Sequence, residues 1–277
     1  MTPVEKRLHA WHQTPETHIP DADAAAELIQ SLGVVTHYPA SPEIPNIFHA
    51  YLGDPEAKTD SAWDTPSGEV YTWRWHLGGR QAGFYSLVVR KRPTWVSWSL
   101  LPSILRLRAE LRTPDELFDL GTISANAYKI ARALDESGGT LSTAELRKAA
   151  DFPTGKEQRA AYLKAVEELD SRLMLAKLVS GNGDEMSHAL VSARYREHVD
   201  AAEKLSPEEA CDKFLESYLP AAAFAAPIPL ARHTGIDEQL LRASLERLKE
   251  EGELKLEAVP GYKTDCYVWN SRSGSPR

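Results

Sequence analysis

Basic and aromatic side chains are concentrated in residues 70–109, here called the acid-free segment. It contains no Asp or Glu and holds four of the chain's seven tryptophans. Its basic residues are Arg74, Arg80, Arg90, Lys91, Arg92, Arg106 and Arg108. Guanidinium and ammonium groups pair with phosphates, and flat rings offer stacking surface to bases. The residue types therefore favour a polyanion-binding surface; the alternative is a buried tryptophan hairpin whose arginines meet acids elsewhere in the chain.

The acid-free segment stands out because the rest of the chain is acidic. The formal net charge is −8 over 277 residues, so the residues outside this +7 segment sum to −15. This balance argues against a polybasic binder and restricts any nucleic-acid contact to a local patch. The length is sufficient for two or three domains. Cys211 and Cys266 lie far apart in the sequence, which favours reduced core thiols over a disulfide or metal site.

Other patterns that could carry catalysis are sparse. Asp54 and Asp64 lie in a loop near Trp63, where a carboxylate could orient water or stabilise an oxocarbenium-like state, although ordinary loop acids fit as well. His9 and His12 could share a helix face, but no second cluster supports a metal site. The sequence therefore predicts no metal, no cofactor and no identifiable catalytic residue. With no apolar leader and no apolar run of bilayer length, we expect a cytoplasmic protein without a membrane partner.

A hairpin is the element expected to position the basic side chains. Residues 70–77 alternate between aromatic and polar side chains, and residues 84–90 form a second strand candidate after Gly78, Gly79 and Gly83. In this register, tryptophans face one side and Arg74 the other. The pattern predicts a Trp-rich β-hairpin within a mixed α/β N-terminal unit spanning residues 1–115.

An internal repeat occupies the helical remainder of the chain. Each copy reads as three helices followed by a hairpin, with a capping-box pattern at Ser142 and Glu145 in the first and at Ser206 and Glu209 in the second. An Asn-Gly pair within residues 180–184 marks the first hairpin. This order is typical of a winged helix, so we predict an α+β fold with tandem winged-helix domains at 116–200 and 201–270 and a disordered tail at 271–277.

The third helix of each copy, which commonly enters the DNA major groove in winged helices, is acidic on its outer face. Glu157 and Glu167 accompany Lys164 in the first copy, and Glu246 and Glu250 accompany Arg247 in the second. Acids repel phosphates, so these helices argue less strongly for DNA than the fold does. Most of the predicted DNA contact therefore falls on the acid-free segment, with Lys164 and Arg247 as additional candidates.

The second copy also resembles a known family. The sequence CDKFLESYLPAAAFAAPIPLARHTGIDEQLLRASLERLKEEGELKLEAVPGYKTDCYVW is similar to the winged-helix unit of the AlkZ/YcaQ-type DNA glycosylases, and EVYTWRWHLGGRQAGFYSLVVRKRPTWVSW is similar to segments of shorter AlkZ-related proteins. The resemblance implies a DNA-repair fold in which winged helices and a β-rich element form a concave channel. The glycosylases of this family remove damaged bases by means of a Gln-x-Gln motif.

That motif is absent here. The glutamines are Gln13, Gln30, Gln81, Gln158 and Gln239. No two of them have the required spacing, so the resemblance implies a fold and a DNA-binding tendency but assigns no catalytic residue. The leading expectation is a repair-associated protein that binds duplex DNA, damaged duplexes included. A glycosylase with a substituted catalytic group and a non-enzymatic regulator or protein-interaction module are the alternatives.

Overall fold

The computed structural model describes residues 1–179 and 186–270. Its N-terminal part combines helices with a small antiparallel sheet. The helices are α1 (Pro3–Ala10), α2 (Ala22–Leu32), α3 (Ile47–Leu52), α4 (Pro66–Gly79) and α5 (Leu101–Arg108), and the strands are β1 (Val34–Thr36), β2 (Phe84–Val89) and β3 (Arg92–Val96). The strand order is β1-β3-β2. Trp95 in the central strand pairs with Val35 on one side and Tyr85 on the other.

The predicted Trp-rich hairpin is wrong, because residues 70–77 are helical and belong to α4. Thr65 caps this helix by accepting a hydrogen bond from the Gly68 amide, and Pro66 occupies the first turn, where its missing N–H is not needed. Val70, Trp73 and Leu77 are the buried face, at helical i, i+3, i+7 spacing. The alternation of aromatics matches the period of a strand, whereas the Thr-Pro start signal and the i, i+3, i+7 spacing of the buried residues indicate the helix.

The hairpin that does form joins β2 to β3. Val89 pairs with Arg92, which leaves Arg90 and Lys91 as the two turn residues. Their φ angles are 48° and 57°, as a turn matched to the twist of a hairpin requires. The tight turn therefore projects a run of three basic residues, Arg90, Lys91 and Arg92, here called the basic turn.

The first repeat follows a short helix, α6 (Pro114–Asp119). Its elements are α7 (Ala125–Ser137), β4 (Leu141–Ser142), α8 (Thr143–Ala149), α9 (Lys156–Ser171), β5 (Leu175–Val179) and β6 (Met186–Leu190). The sheet order is β4-β6-β5. The predicted Asn-Gly turn at residues 180–184 lies outside the described residues. Two helices, α10 (Val191–Arg194) and α11 (Arg196–Glu203), lead to the second repeat.

The second repeat has the same order of elements. They are α12 (Pro207–Ala222), β7 (Phe224–Ala225), α13 (Pro227–Thr234), α14 (Glu238–Glu250), β8 (Leu254–Glu257) and β9 (Cys266–Trp269), with sheet order β7-β9-β8. Both predicted capping boxes are present, at Ser142 with Glu145 and at Ser206 with Glu209. The short strands β4 and β7, which pair with the hairpins, were not predicted. The predicted disordered tail, 271–277, lies outside the described residues.

Two large hydrophobic cores hold these parts together. One joins the N-terminal helices and sheet to the second repeat and contains Trp95, Phe214 and Leu245. The other lies inside the first repeat. The β5–β6 hairpin contributes to both, with Ala176 in the first core and Leu175 in the second. Within the described ranges, no helix is both long and apolar enough to cross a membrane.

Candidate nucleic-acid interface

The basic turn lies between the two repeats. The Arg90 amide donates a hydrogen bond to the His233 carbonyl at 3.1 Å, and its guanidinium donates to the Ala40 carbonyl at 2.9 Å. On the other side, Lys91 Nζ lies 2.6 Å from Glu167 Oε1 on α9. The hydrogen bond from Lys91 lowers the pKa of Glu167. The turn is therefore anchored to α13 of the second repeat and to α9 of the first.

Arg92 completes the basic turn. Its side chain is exposed, and it makes no ion pair with any residue of ranges 1–179 and 186–270. Arg232, which sequence reasoning missed, extends the same positive region, because the charges of Arg90 and Arg232 both lower the pKa of His233 after burial itself. No sequence pattern links α13 to the turn, since their proximity arises only in the tertiary fold.

Arg74 is held by aromatic rings on α4. Its guanidinium carbon lies 3.7 Å from the Tyr71 ring centroid and 4.0 Å from that of Trp75, and it donates a hydrogen bond to the Tyr71 hydroxyl. Trp63, 70% exposed, packs edge-on against Tyr71. This arrangement combines one cation with three aromatic rings, and it leaves Trp63 open to solvent beside them.

Arg80 and Arg247 are engaged by carboxylates. Arg80 and His76 both contact Asp23, and the hydrogen bond from His76, followed by the charge of Arg80, lowers the pKa of Asp23. Arg247 pairs with Asp212 and lies 3.6 Å from Glu251. Such exposed pairs are weak and exchange readily with solvent ions. The charge of the neighbouring carboxylates nevertheless offsets part of the positive potential of these two arginines.

The remaining predicted residues are scattered. Lys164 is exposed on α9. Arg106 and Arg108 are half-buried on α5, and Arg106 Nε is buried without a hydrogen-bond partner among the described atoms. Arg108 packs against Gly235, and burial lowers its guanidinium pKa. The structure thus brings Arg90, Lys91 and Arg92 together but does not join Arg106 or Arg108 to them as an exposed surface.

A second feature is a cleft of about 390 Å³ between the end of α4, the N-terminal sheet and β5. Its walls include Gly78, Gly79, Tyr85, Trp95, Trp98 and Tyr195. Lys177 also lines it, with Nζ 2.7 Å from Asp170 Oδ2. Burial raises the pKa of Asp170. Beside them, burial and the charge of Lys177 lower the pKa of His188 to about 4.

His37, which the sequence did not single out, is buried and contacts Trp95, one of the residues that line this cleft. Its Nε2 lies 2.8 Å from the Val70 carbonyl, and the Trp95 indole N–H donates to its Nδ1 at 3.3 Å. These partners fit only the neutral ring protonated on Nε2. Burial lowers the pKa of His37 to about 4. Both ring nitrogens of His37 therefore have hydrogen-bond partners within the fold, and the ring has a structural role.

The candidate catalytic groups do not converge. Asp54, Asp64 and Gln158 are exposed, whereas Gln13 is buried and Gln30 donates to the Ala82 carbonyl at 2.6 Å. Among residues 1–179 and 186–270, no group of three or more His, Cys, Asp or Glu side chains could hold a metal ion.

Comparison with known proteins gives two matches. A family model described as AlkZ related matches residues 19–227. Among solved structures, the fold is similar to Streptomyces sahachiroi DNA glycosylase AlkZ, with a TM-score of 0.56 and 16% sequence identity, covering 97% of this chain and 70% of that chain. No curated protein sequence matches.

Proposed function

The chain belongs to the AlkZ-related family, and from this premise we propose that it is a DNA-binding, repair-associated protein whose contact surface is centred on the basic turn. The observation that carries the proposal is the position of Arg90, Lys91 and Arg92, three consecutive cations anchored to both repeats. Cations at such a junction can follow a phosphate backbone while the repeats flank the duplex. Arg74 and Lys164 would extend the contact.

The proposal includes tandem winged helices. Helix, short strand, helix, helix and hairpin occur in the same order in both repeats, with the first short strand paired to the last strand of the hairpin. In such modules the third helix and the hairpin commonly approach DNA. Here, Glu157 and Glu167 on α9 and Glu250 on α14 face outwards, so contact through these helix faces would be unfavourable. The basic turn supplies the charge that the helices lack.

The proposal stops at binding and assigns no base-excision step. The Gln-x-Gln spacing is absent from the sequence, and the described acids and glutamines do not converge on one site. A repair-associated protein that recognises DNA without excising a base fits these residues. A glycosylase with a substituted catalytic group would require release of a base from alkylated duplexes, and the absence of release would exclude it for those substrates.

Binding of a fluorescent duplex measured against salt concentration tests the proposal. Log affinity falls as log salt rises, and each lost phosphate contact makes that negative slope shallower by about 0.9. We expect Arg90→Ala with Arg92→Ala to make the slope shallower by about 2 and to weaken binding. Lys129→Ala with Arg132→Ala removes the same charge from α7 and should change neither quantity. Negligible affinity at low salt, or equal affinities of both double variants, would overturn the proposal.

A specific observation favours the second candidate, a protein-interaction module. Arg80, Lys91 and Arg247 already contact carboxylates of the chain, and the third helices present acids outwards. A surface of this kind suits a protein partner with basic side chains. Failure to bind duplex at low salt would favour this candidate over DNA binding.

A further inference from the structure

The cleft beside α4 is built where backbone segments approach closely. A Cβ on Gly78 would lie 2.3 Å from the Val179 carbonyl oxygen, and one on Gly83 would lie 2.6 Å from the Val96 carbonyl oxygen. Glycine at these two positions therefore allows the end of α4 and the start of β2 to pack directly against the backbone of β5 and β3 beside the cleft. A second space of about 370 Å³ adjoins it and shares Gln81, Trp98, Arg194 and Tyr195 as walls. Such volumes lie in the range of pockets that bind small molecules.

Aromatic rings form the walls. The Trp98 ring stacks on His198 with centroids 5.6 Å apart and an interplanar angle of 26°, and it lies 5.5 Å from Tyr195. Deeper in the cleft, Tyr85 and Trp95 lie 4.6 Å apart. Trp98 Nε1 donates to the Gln81 carbonyl at 2.7 Å, which fixes the ring plane. The half-exposed Trp98 and Tyr195 thus form a rigid platform.

Positive and neutral polar groups line the first space, and Glu197 is the acid among the residues that line the second. Lys177 enters the cleft from β5, with its ammonium held by the buried Asp170. Arg194 lies where the two spaces meet. Gln81 is exposed there, in a left-handed backbone conformation with φ of 52°. Its amide offers both a donor and an acceptor, the combination that reads a base edge.

We propose that this cleft receives a single unpaired nucleobase of DNA, stacked on Trp98 and Tyr195, with Gln81 at its edge and Arg194 near the adjoining phosphate. The proposal rests on the DNA-binding function and adds a subsite to it. Aromatic stacking accepts any base, because every base has a π-face. The basic turn would hold the backbone, while the cleft distinguishes an unpaired base from a paired one.

The test compares a paired duplex with the same duplex carrying one unpaired central base. We expect about tenfold tighter binding of the second, a typical effect of one stacked base. Trp98→Leu should remove this preference and leave the affinity for the paired duplex within about twofold. Trp269→Leu, which alters a half-buried tryptophan outside the cleft, serves as the matched control. Equal affinity of the unmutated protein for both duplexes would overturn the subsite and leave the proposed function intact.

A second variant, Gln81→Asn, tests the proposed site even if Trp98→Leu does not fold. Gln81→Asn shortens the side chain by one methylene and keeps the amide group. Asn adopts left-handed backbone more readily than Gln, so we expect the fold to be preserved. It should change which unpaired base is preferred; an unchanged preference would count against an edge contact at Gln81 and overturn that part of the proposal.

Quenching of tryptophan fluorescence by deoxyadenosine separates the two proposals further. Quenching that Trp98→Leu abolishes, without duplex binding, would support the base site and overturn the proposed function. The absence of both quenching and duplex binding would overturn both proposals.

Discussion

Lys91 Nζ lies 2.6 Å from Glu167 Oε1, so a cation of the basic turn is paired with an acid on the third helix of the first repeat. Both side chains are more than half exposed, at 64% and 56%. The basic turn favours contact with phosphates, whereas the acidic face of α9 repels them, and this pair joins the two. A duplex that contacts the turn must compete with Glu167 for Lys91.

Glu167→Gln should therefore strengthen duplex binding. The substitution frees Lys91 and removes a charge that repels phosphates, so we expect about a two- to fivefold gain in affinity at low salt. The gain should shrink as salt rises, because exposed charges are screened. Glu136→Gln, which makes the same charge change on α7, should have no effect. If both variants bind like the unmutated chain, Lys91 does not contact DNA.

Gly235→Ala should destabilise the protein more than a glycine replacement at another left-handed position. Gly235 has φ of 70°, and its Cβ would lie 2.7 Å from Arg108 Cζ. Gly252 has φ of 81° and open space around it, so Gly252→Ala reports backbone strain alone, about 1 kcal/mol. We expect Gly235→Ala to lower the free energy of unfolding by about twice that or more. Equal losses in urea denaturation would show that Arg108 moves aside freely.

The buried pair of Arg7 and Glu43 should respond strongly to loss of one partner. Arg7 Nη1 lies 3.5 Å from Glu43 Oε2 with both side chains almost fully buried, and Arg7 also donates to the Ala222 and Phe224 carbonyls. Arg7→Met leaves a buried carboxyl without its cation, and we expect a loss of about 3–5 kcal/mol in urea denaturation. Adding Glu43→Gln should restore part of it, because the unpaired charge is then gone.

An exposed pair supplies the comparison. Arg132→Met breaks the surface pair with Glu136, and it should have no measurable effect on the free energy of unfolding, because exposed pairs contribute little. If Arg7→Met and Arg132→Met lowered the free energy of unfolding by similar amounts, burial would not determine how much stability the loss of one partner removes.

Stability should fall as the pH drops from 6.5 to 4. The pKa of His37 is lowered from 6.5 to about 4 by burial, with the nearby Arg74 charge acting in the same direction. Between those values the unfolded chain binds a proton that the folded chain refuses, so acidification favours unfolding. His188 has a similar shift. Each of the two histidines lowers the free energy of unfolding by about 3 kcal/mol between pH 6.5 and pH 4.

Urea denaturation at several pH values measures this dependence. The His37→Gln variant should show a shallower fall in stability with acid than the unmutated chain, whatever its stability at neutral pH. An unchanged pH dependence would show that His37 can be protonated in the folded state.

The repeat was predictable because its signals are local. Ser142 and Ser206 begin helices through capping boxes that are visible three residues ahead, and the third helices have regular apolar stripes. The strand prediction for residues 70–77 was wrong because Tyr71, Trp73 and Trp75 alternate with the period of a strand. In the helix Trp73 lies on the buried face while Tyr71 and Trp75 do not, and the start signal at Thr65 and Pro66 is the local feature that indicates this helix.

Most of the candidate site was not predictable for a different reason. The seven basic residues were visible as a composition, but their partners were not. Asp23, Glu167 and Asp212 are distant in sequence from Arg80, Lys91 and Arg247, so only the tertiary fold shows which charges are engaged. The cleft is likewise assembled from α4, β3 and residues 194–198, and no linear pattern connects Trp98 with Tyr195.

The conformation of the basic turn has one more consequence. Arg90 and Lys91 both hold left-handed backbone, which costs a side chain with a Cβ about 1 kcal/mol at each position. Asn-Gly would adopt the same turn with less strain. A library sorted for thermal stability alone should therefore enrich Asn-Gly at positions 90 and 91, whereas a library sorted for DNA binding should retain the two cations.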